Sequence, residues 1–501
     1  MREAKLRDPI VPMPPVPSPY GPPVESIKMR AYQLPGIVSV RFTDLFPEFP
    51  APIYPDRSGN KNIKVVRELA EDRLRKVDMS MIKPGDSINI LGSHHGFTLF
   101  GDGNPYAEML KTIRDVIIEK TGAKDIRLRV GVGLRHKEAD MWIKYFKLDE
   151  YFGGRGRARG IAPLDPGIPI DTEIGTLYVL RDAFDAKWIV HAHNSDVREV
   201  HFHRHIDRAF KPFAMSYARL ETRAIYHFNF GPRTANIVSR AIFESPFVQS
   251  KYTFSSFIVP SPEGIVTVDA DNNLYALNDR ITLHNFRTYG KIMTLYTKLT
   301  DFIVVLDFSG PIPYQFAGGV IFANFSSNVD LFDLDVEFPG YTWYSEMFYD
   351  ELGRPMSPRI NPVHPGMKAI VINLAWGGYP SVFWSQQVPT IIVGEHMAEV
   401  LRRDSQNREF LKHAVVADDL PTAMEFAYKI AKTDKVIIFD GAAGGINVSK
   451  SLAEELLELA PKVSEEVDNI RILKWCKQRG MDCDAIKNSE KYKEWYENIK
   501  K

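Results

Sequence analysis

Five of the thirteen histidines fall within fifteen residues, between His191 and His205, and they indicate where chemistry could occur. The chain reads HAHNSD from residue 191 and HFHRHIDRAFK from residue 201, so the run ends at Lys211. Imidazole titrates near neutral pH and binds borderline metal ions, and such a cluster therefore suits proton transfer or metal binding. Each histidine taken alone is better explained as a structural hydrogen-bonding residue, but five together favour a functional site.

The alternation in HAH and HFH places both histidines of each pair on one face of an extended segment. One interpretation is therefore a zinc or iron hydrolase with four histidine ligands, His191, His193, His201 and His203. The H-x-H-x-D-H pattern of such centres is not matched, because HFHRHID places Asp207 elsewhere. The hydrolase stays open as an alternative.

The spacing of three residues resembles the core of the nickel-dependent lactate racemase family. Lys211 lies ten residues after His201 and is followed by a proline, and His227 lies sixteen residues after Lys211. In that family the stretch reads approximately PHxxAGFSGGxKxxxPG, followed by a histidine, with the same two intervals. The resemblance implies that Lys211 carries a nickel-pincer nucleotide as a thioamide, that His227 binds the nickel, and that His201 transfers protons.

Other stretches resemble the family in the same order, from about residue 85 to residue 450. RVGVGLRHKEADMWIKYF looks like the surroundings of the family's other catalytic histidine, which stands in a G-T-H-R context. Arg135 occupies that position here, and His136 is one residue further along. PGIPID resembles a G-T-P-V segment, and WGGYPSVFWSQQ is similar to G-G-Y-P-x-D-x-N-x-Y-Q, with Gln387 at the matching glutamine.

The segment between the matching histidine and lysine departs from the family. FHRHIDRAF replaces the glycine-rich AGFSGG, whose glycines let the backbone approach the cofactor. Side chains would have to make those cofactor contacts instead, and the candidates are Arg204, His205 and Arg208.

The positions that would contact the substrate also depart. The family's D-x-x-R, whose arginine holds the substrate carboxylate, falls on SHHG at 93–96, so His94 or His95 would act there instead. The position three residues after the matching glutamine holds a lysine in the family and is Thr390 here. The resemblance therefore implies a 2-hydroxy acid substrate other than lactate, or a larger hydroxylated substrate.

The residue types suit this chemistry. Racemising a 2-hydroxy acid breaks an unactivated C–H bond, and a nickel-bound carbon that accepts hydride avoids the need for a strong base. The protein then supplies a base for the hydroxyl proton on each side, which suits His201 together with His136 or one of His94 and His95. The expected activity is racemisation or epimerisation, with a homologue that has lost its cofactor as a non-catalytic alternative.

The composition narrows the class of protein. The chain has 63 lysine and arginine residues and 63 aspartate and glutamate residues. Its net charge is therefore zero, and no overall positive charge favours binding to nucleic acid or to an anionic membrane. No apolar run is long enough to span a bilayer, and the first residues show no secretory leader, so we expect a cytoplasmic protein without nucleic-acid or membrane partners. The two cysteines, Cys476 and Cys483, argue against a disulfide framework and a cysteine-built zinc site.

The pattern of apolar segments predicts an α/β fold with two α/β domains, largely parallel sheets and an interdomain cleft. A chain of 501 residues is too long for one core. We expect five regions: a proline-rich arm (1–60), an N-terminal α/β domain holding the site (61–280), a linker helix (281–300), a C-terminal α/β domain (301–450) and a helical tail (451–501). The arm would wrap its own domain or a neighbouring subunit of a homo-oligomer.

Several elements are expected along this plan. SINILGS, IRLRVGVGL and KWIVHAH are strand-like, with His191 and His193 at a carboxyl end, where open α/β sheets bind ligands. GGRGRARG (153–160) is expected to be a loop that holds an anion or is merely solvated, and TLYVLRDAFDA a helix. DGAAGGIN (440–447) is expected to turn from a strand directly into a helix capped by Asn447 or Ser449.

Overall fold

The computed structural model describes twelve stretches of the chain: residues 6–12, 27–55, 62–98, 104–132, 136–195, 209–230, 234–308, 330–336, 363–375, 387–403, 414–442 and 444–500. They form two compact units. The first unit comprises the described residues of Pro50–Asp196, His205–His284 and Cys483–Lys501. The second unit comprises the described residues of Met1–Phe49 and Asn285–Asp482.

The strands of the described residues are numbered in chain order. They are β1 (Ile37–Arg41), β2 (Tyr54–Pro55), β3 (Ser87–Ser93), β4 (Asp125–Gly131), β5 (Ala158–Ile161), β6 (Gly167–Thr172), β7 (Gly175–Leu180), β8 (Trp188–Asn194), β9 (Tyr252–Ser261), β10 (Gly264–Asp271), β11 (Phe302–Phe308), β12 (Met367–Ala375), β13 (Thr390–Val393), β14 (Ala414–Ala417), β15 (Val436–Phe439) and β16 (Gly445–Ser449).

The α-helices are numbered in the same way. They are α1 (Phe42–Leu45), α2 (Ile63–Arg75), α3 (His95–Thr98), α4 (Asn104–Thr121), α5 (His136–Tyr145), α6 (Leu148–Tyr151), α7 (Arg181–Phe184), α8 (Lys211–Ala214), α9 (Leu220–Ala224), α10 (Ala235–Glu244), α11 (Pro246–Gln249), α12 (Leu274–Arg287), α13 (Tyr289–Thr297), α14 (Glu395–Arg403), α15 (Leu420–Ala431), α16 (Lys450–Glu466), α17 (Ile472–Gln478), α18 (Cys483–Asn488) and α19 (Glu490–Lys493). Two π-helical turns span Ile225–Asn229 and Val467–Arg471, and 3₁₀ turns span Ala31–Gln33 and Glu494–Lys500.

The first unit is built on a sheet whose described strands run in the order β2-β10-β9-β8-β3-β4-β5. β9, β8, β3, β4 and β5 are parallel neighbours, and β10 and β2 add an antiparallel edge. The central strands β3 and β8 are buried along nearly their whole length, as expected for a parallel sheet that is covered on both faces. The carboxyl ends of β3, β4 and β8 therefore meet at one edge, which we call the first carboxyl edge.

The second unit has a sheet in the order β1-β16-β15-β11-β12-β13-β14. β15, β11, β12, β13 and β14 are parallel, whereas β16 and β1 are antiparallel. Every residue of β11 is buried, as expected for a central strand. The chain leaves β11 towards β12 on one side and leaves β15 towards β16 on the other, so the carboxyl ends of β11 and β15 form a topological switch point.

The described residues of the proline-rich arm pack on the second unit's own sheet. Arg7 and Ser39 form an antiparallel bridge, and the backbone N–H and C=O of Ile10 both bond to the Asn447 side chain. The guanidinium of Arg30 donates to Asp307 at the end of β11, with an Nε–Oδ2 distance of 2.8 Å. This part of the arm therefore covers the end of its own chain's sheet.

The structure confirms the predicted α/β class with largely parallel sheets. The prediction of a helix for TLYVLRDAFDA is wrong for most of its length, because 176–180 form β7 and a short α7 follows. Alternating burial in β7 marks it as half of a two-stranded hairpin with β6. The predicted loop at 153–160 ends in β5.

The DGAAGGIN segment also differs from its prediction. It turns from β15 into β16 rather than into a helix, so Asn447 lies within a strand and is not a cap. Ser449 does cap α16, accepting a hydrogen bond from the N–H of Leu452. Cys476 and Cys483 are both disulfide-bonded, which the low cysteine content did not predict. None of the described helices is long and apolar enough to cross a membrane.

Candidate active site at the first carboxyl edge

The ends of three neighbouring strands hold the histidines of the first carboxyl edge together. His94 follows β3, and its Nδ1 lies 3.3 Å from the carbonyl oxygen of Gly131 at the end of β4. His95 begins α3, and its carbonyl oxygen accepts from Asn194 Nδ2 at the end of β8, at 3.4 Å. The two imidazole rings are 3.9 Å apart between centroids. His94 and His95 therefore lie at the same sheet edge as the end of β8.

Tyr106 of α4 fixes this arrangement from the opposite side. Its buried hydroxyl donates to the carbonyl of Ala192 in β8, at 2.8 Å, and accepts from the N–H of Ser93 in β3, at 3.0 Å. A Cβ at Gly96 would stand 2.3 Å from the Tyr106 ring, so only glycine allows α3 to lie this close. Burial raises the pKa of Tyr106, which therefore stays neutral and keeps its donor.

His191 is a structural residue. It is fully buried, its Nε2 lies 3.0 Å from the carbonyl oxygen of Ala209, and its Nδ1 lies 2.8 Å from the hydroxyl of Tyr217. A carbonyl can only accept, so Nε2 donates to Ala209, and Nδ1 lies against the Tyr217 hydroxyl, whose own hydrogen is donated to the carbonyl of Leu91. Burial lowers the pKa of His191 well below its usual value, and the charge of neighbouring His193 lowers it further. Both ring nitrogens are therefore occupied by protein groups, which excludes His191 as a metal ligand in this arrangement.

His193 is placed differently, two residues further along the same face of β8. Its Nδ1 lies 2.8 Å from the carbonyl oxygen of Asn194, so this nitrogen is the donor. The same argument makes Nδ1 of His94 the donor to the carbonyl of Gly131. Both imidazoles are thus held by a hydrogen bond from Nδ1 to a backbone carbonyl.

Lys211 begins α8, on a segment fixed against the sheet. It is half-buried, two residues after the Ala209 carbonyl that His191 holds. A Cβ at Gly131 would stand 2.2 Å from the carbonyl oxygen of Ser216. The backbone that follows α8 therefore packs directly on the backbone at the end of β4, with no room for a side chain between them. The hydroxyl of Tyr217 also lies 2.9 Å from the carbonyl oxygen of Leu91 in β3. The lysine therefore has a rigid backbone at the carboxyl edge.

His227 lies in the π-helical turn Ile225–Asn229, which follows α9 directly. Single π-helical turns are rare and frequent at functional sites. The guanidinium of Arg223, buried in α9, donates to the carbonyls of Val132 and Ala218, so the turn is tied to the end of β4. Only the backbone of His227 is described.

The other predicted site residues are placed less completely. His136 begins α5, directly after β4 and its loop, and only its backbone is described. Gln387 belongs to the second unit, is exposed, and its Oε1 accepts from the N–H of Val363. Six predicted residues lie outside the described stretches: Arg135, His201, His203, Arg204, His205 and Arg208.

Sequence reasoning missed two polar residues at the end of β8. Asn194 is 2% exposed and Ser195 is fully buried, yet among the described residues neither Asn194 Oδ1 nor Ser195 Oγ has a hydrogen-bond partner. Buried polar atoms are almost always paired, so two consecutive exceptions require an explanation. The only sequence signal was the polar NSD that follows HAH.

The switch point of the second unit carries a separate polar network. Asp307 accepts from Arg30, the N–H of Ala31 and Asn373 Nδ2, and Asp440 accepts from Asn447 Nδ2 at 2.6 Å. Burial, with a contribution from the charge of Asp307, raises the pKa of Asp440 to about 7. Because protein groups occupy these carboxylates, the network fixes the arm.

These features define an α/β protein with two parallel-sheet units and a histidine-rich carboxyl edge in the first. Among the described residues, no three histidine, cysteine, aspartate or glutamate side chains are grouped to hold a metal ion. Comparison of the chain with protein-family models and with curated protein sequences found no match. The likeness to nickel-dependent lactate racemases therefore rests on motif spacing and stays a prediction.

Proposed function

We propose that the protein is a racemase or epimerase of a small 2-hydroxy acid other than lactate, with a nickel-pincer nucleotide attached to Lys211. The spacing of His201, Lys211 and His227 motivates the proposal. The observation that carries it is the placement of Lys211 on a segment fixed at the first carboxyl edge, through the His191–Ala209 bond and the close approach of Gly131 to Ser216. A cytoplasmic location and self-association through the arm are parts of the same proposal.

The described residues fit such a cofactor in two respects. Lys211 is half-buried with a fixed backbone, as a covalent attachment point requires, and His227 stands in a π-helical turn that Arg223 ties to the sheet. Lys211 and His227 would hold the group. When bound, a nickel-pincer nucleotide would supply a hydride acceptor, so that the carbinol carbon can pass through a planar oxidised state.

The protein's own part in the reaction is proton transfer and orientation. Removing hydride from a carbinol requires a base for the hydroxyl proton, and a base near neutral pKa suits both directions of a reversible reaction. His94 and His193 lie at the first carboxyl edge with Nδ1 bonded to backbone carbonyls, and the ring of His95 adjoins His94 at a tilt. His201 and His136 remain the other proposed acid–base residues.

The alternative hydrolase loses one of its four proposed ligands. His191 uses Nε2 and Nδ1 to hold Ala209 and Tyr217, and its lowered pKa reflects a dry environment. A cofactor-less homologue would keep the same fold, because these bonds are made without any cofactor. The state of Lys211 separates the proposed racemase from both alternatives.

The experiment is intact-mass and metal analysis of protein made in a host that supplies the cofactor. An added mass on the peptide that contains Lys211, together with nickel, is the expected result. Lys211→Ala should lose both, whereas Lys187→Ala, which removes a surface lysine paired with Asp86, should keep both. Unmodified Lys211 with stoichiometric zinc would contradict the proposal, and unmodified Lys211 without metal would favour the non-catalytic homologue.

A further inference from the structure

A buried guanidinium in the first unit has an edge that the described residues leave unpaired. Arg129 of β4 is 4% exposed, and its Nη1 donates to the carbonyls of Leu128 and Arg157, at 3.1 and 2.9 Å. Its Nε is also buried, but it has no hydrogen-bond partner among the described residues. Charged donors left unpaired in a protein interior are costly and rare, so Arg129 indicates a bound group that the described side chains do not supply.

Arg129 belongs to a group of four arginines on one face of the sheet, which we call the arginine face. Arg129 pairs in register with Arg159 of β5, and registered neighbours project from the same face. Arg127 lies two residues before Arg129 on the same strand, so it projects from this face as well. Arg157 directly precedes β5 and bonds to the same carboxylate as Arg127, which completes the group.

Two carboxylates of this face are paired with the other arginines. Asp125 accepts from Arg127 and from Arg157, each at 2.8 Å. Asp182 of α7 pairs with Arg159 at 2.6 Å. Neither carboxylate is therefore left for the most buried member of the group.

The third carboxylate is also engaged elsewhere. Asp185 accepts from Asn89 Nδ2 of β3 at 2.7 Å and lies 3.4 Å from Arg127. Four guanidinium groups therefore meet three carboxylates, and the positive charge without a partner is that of Arg129.

The electrostatics agree with this count of charges. Burial lowers the pKa of Arg129 to about 10, and the charge of neighbouring Arg159 lowers it further. The guanidinium nevertheless stays charged at neutral pH, because this pKa is still well above 7. A bound anion would offset both effects.

The geometry of the guanidinium selects the ligand. Because Nη1 of Arg129 bonds to backbone carbonyls, the remaining edge is the one that Nε shares with Nη2. Two parallel N–H groups on one edge match the two oxygens of a carboxylate or of a phosphate. One unbalanced positive charge favours the carboxylate, since a phosphate monoester carries a charge of about −1.5 to −2 at neutral pH.

We infer that the arginine face binds a small monocarboxylate, held by the Nε edge of Arg129 with Arg159 beside it. The side chains of Arg157 and Arg159 are 38% and 45% exposed, so a ligand from solvent reaches the face at β5, the last strand of the described sheet. This site uses none of the residues assigned to the proposed racemase reaction, and its existence does not depend on that reaction.

The first test is binding of acetate to the full-length protein, measured by thermal unfolding with acetate replacing chloride at constant ionic strength. Acetate should raise the Tm of the wild type in a saturable manner. Arg129→Lys keeps the charge but loses the two-donor edge, so its Kd for acetate should rise about tenfold or more. Arg75→Lys is the control, because Arg75 is 53% exposed and forms only surface ion pairs, and its Kd should equal that of the wild type.

Two results of this titration would overturn the inference. One is a wild-type Tm that does not respond to acetate beyond the response to chloride. The other is a Kd for acetate in Arg129→Lys that equals the wild-type Kd.

A second variant tests the count of charges without changing Arg129. Asp182→Asn removes the ionic partner of Arg159 and leaves two unbalanced positive charges, so acetate should bind about two- to fivefold more tightly. Glu119→Gln is the control, because Glu119 is 58% exposed and pairs with Arg75, and it should leave the Kd unchanged. Equal or weaker binding of acetate by Asp182→Asn would contradict the proposed site.

Two further measurements identify the ligand class and the place of binding. Inorganic phosphate should bind more weakly than acetate, and tighter binding of phosphate would reject the monocarboxylate. Lys211→Ala should bind acetate as the wild type does. If Lys211→Ala abolished acetate binding while Arg129→Lys retained it, the carboxylate would bind at the first carboxyl edge, which would reject this site and leave the proposed racemase intact.

Discussion

At the residue scale, the histidine cluster separates into residues with different tasks. His191 holds the chain segment that carries Lys211, whereas His94 and His193 are held at the first carboxyl edge by bonds from Nδ1 to backbone carbonyls. The motif spacing cannot make this distinction, because HAH looks the same whether its first histidine faces a carbonyl or a ligand. Hydrogen-bond partners, rather than the number of imidazoles, decide which histidines can do chemistry.

Tyr217 is the partner on which the structural role of His191 depends. Tyr217→Phe would leave His191 Nδ1 buried without a partner, and we expect a loss of about 1–2 kcal/mol in the free energy of unfolding. Urea denaturation measures the loss. Tyr178→Phe is the control, because Tyr178 is 39% exposed and its substitution should change stability by less than about 0.5 kcal/mol. An unchanged midpoint for Tyr217→Phe would contradict the assignment of His191.

Asp440 predicts a pH dependence of stability. The pKa of Asp440 is about 7 in the folded protein and near 4 in the unfolded chain. The preferential protonation of folded Asp440 therefore stabilises the protein fully below pH 4, and this stabilisation is lost as the pH rises through 7. Between pH 5 and pH 8 the wild type should therefore lose about 2–3 kcal/mol that Asp440→Asn does not lose. Thermal unfolding at both pH values measures the difference, and equal pH slopes would contradict the raised pKa.

At the element scale, the sequence predicted the parallel core strands well and the connections poorly. Strand β11 is apolar except for Asp307, and β8 begins with an apolar run, because both faces of a central parallel strand are buried, and that signal is local. β7 was misread because its LYVL run does not distinguish a strand from a helix, and its hairpin partner decides between them. Asn194 and Ser195 could not be recognised at all, since an unpaired atom is defined only by its neighbours in space.

Gly131 is the element-scale contact that brings the Lys211 segment to the sheet. Gly131→Ala would place a Cβ 2.2 Å from the carbonyl of Ser216, so the segment must move, at a cost of about 1–3 kcal/mol. Gly85→Ala is the control, because nothing lies within 4 Å of its Cβ. The Tm of each variant, and the fraction of Lys211 that carries added mass, are the measurements. Full modification and an unchanged Tm in Gly131→Ala would show that the close approach has no role.

At the scale of the whole molecule, the two units have separate cores and separate polar networks. The first carboxyl edge depends on bonds such as Tyr106–Ala192, and the second unit depends on the arm, whose Arg30 pairs with fully buried Asp307. Burial outweighs that ion pair and raises the pKa of Asp307, so the carboxylate depends on every partner it has. The arm is therefore a structural part of the second unit.

Arg30→Ala tests this division. Removing the guanidinium leaves Asp307 buried with only the Ala31 N–H and Asn373, and breaking a buried pair typically costs about 3–5 kcal/mol. Because each unit has its own core, we expect calorimetry to resolve a transition that shifts down in Arg30→Ala and a second that does not. Gly131→Ala should shift only the second. If both variants lowered the same single transition equally, the two units would be one cooperative body, and the arm would stabilise the whole chain rather than the sheet it covers.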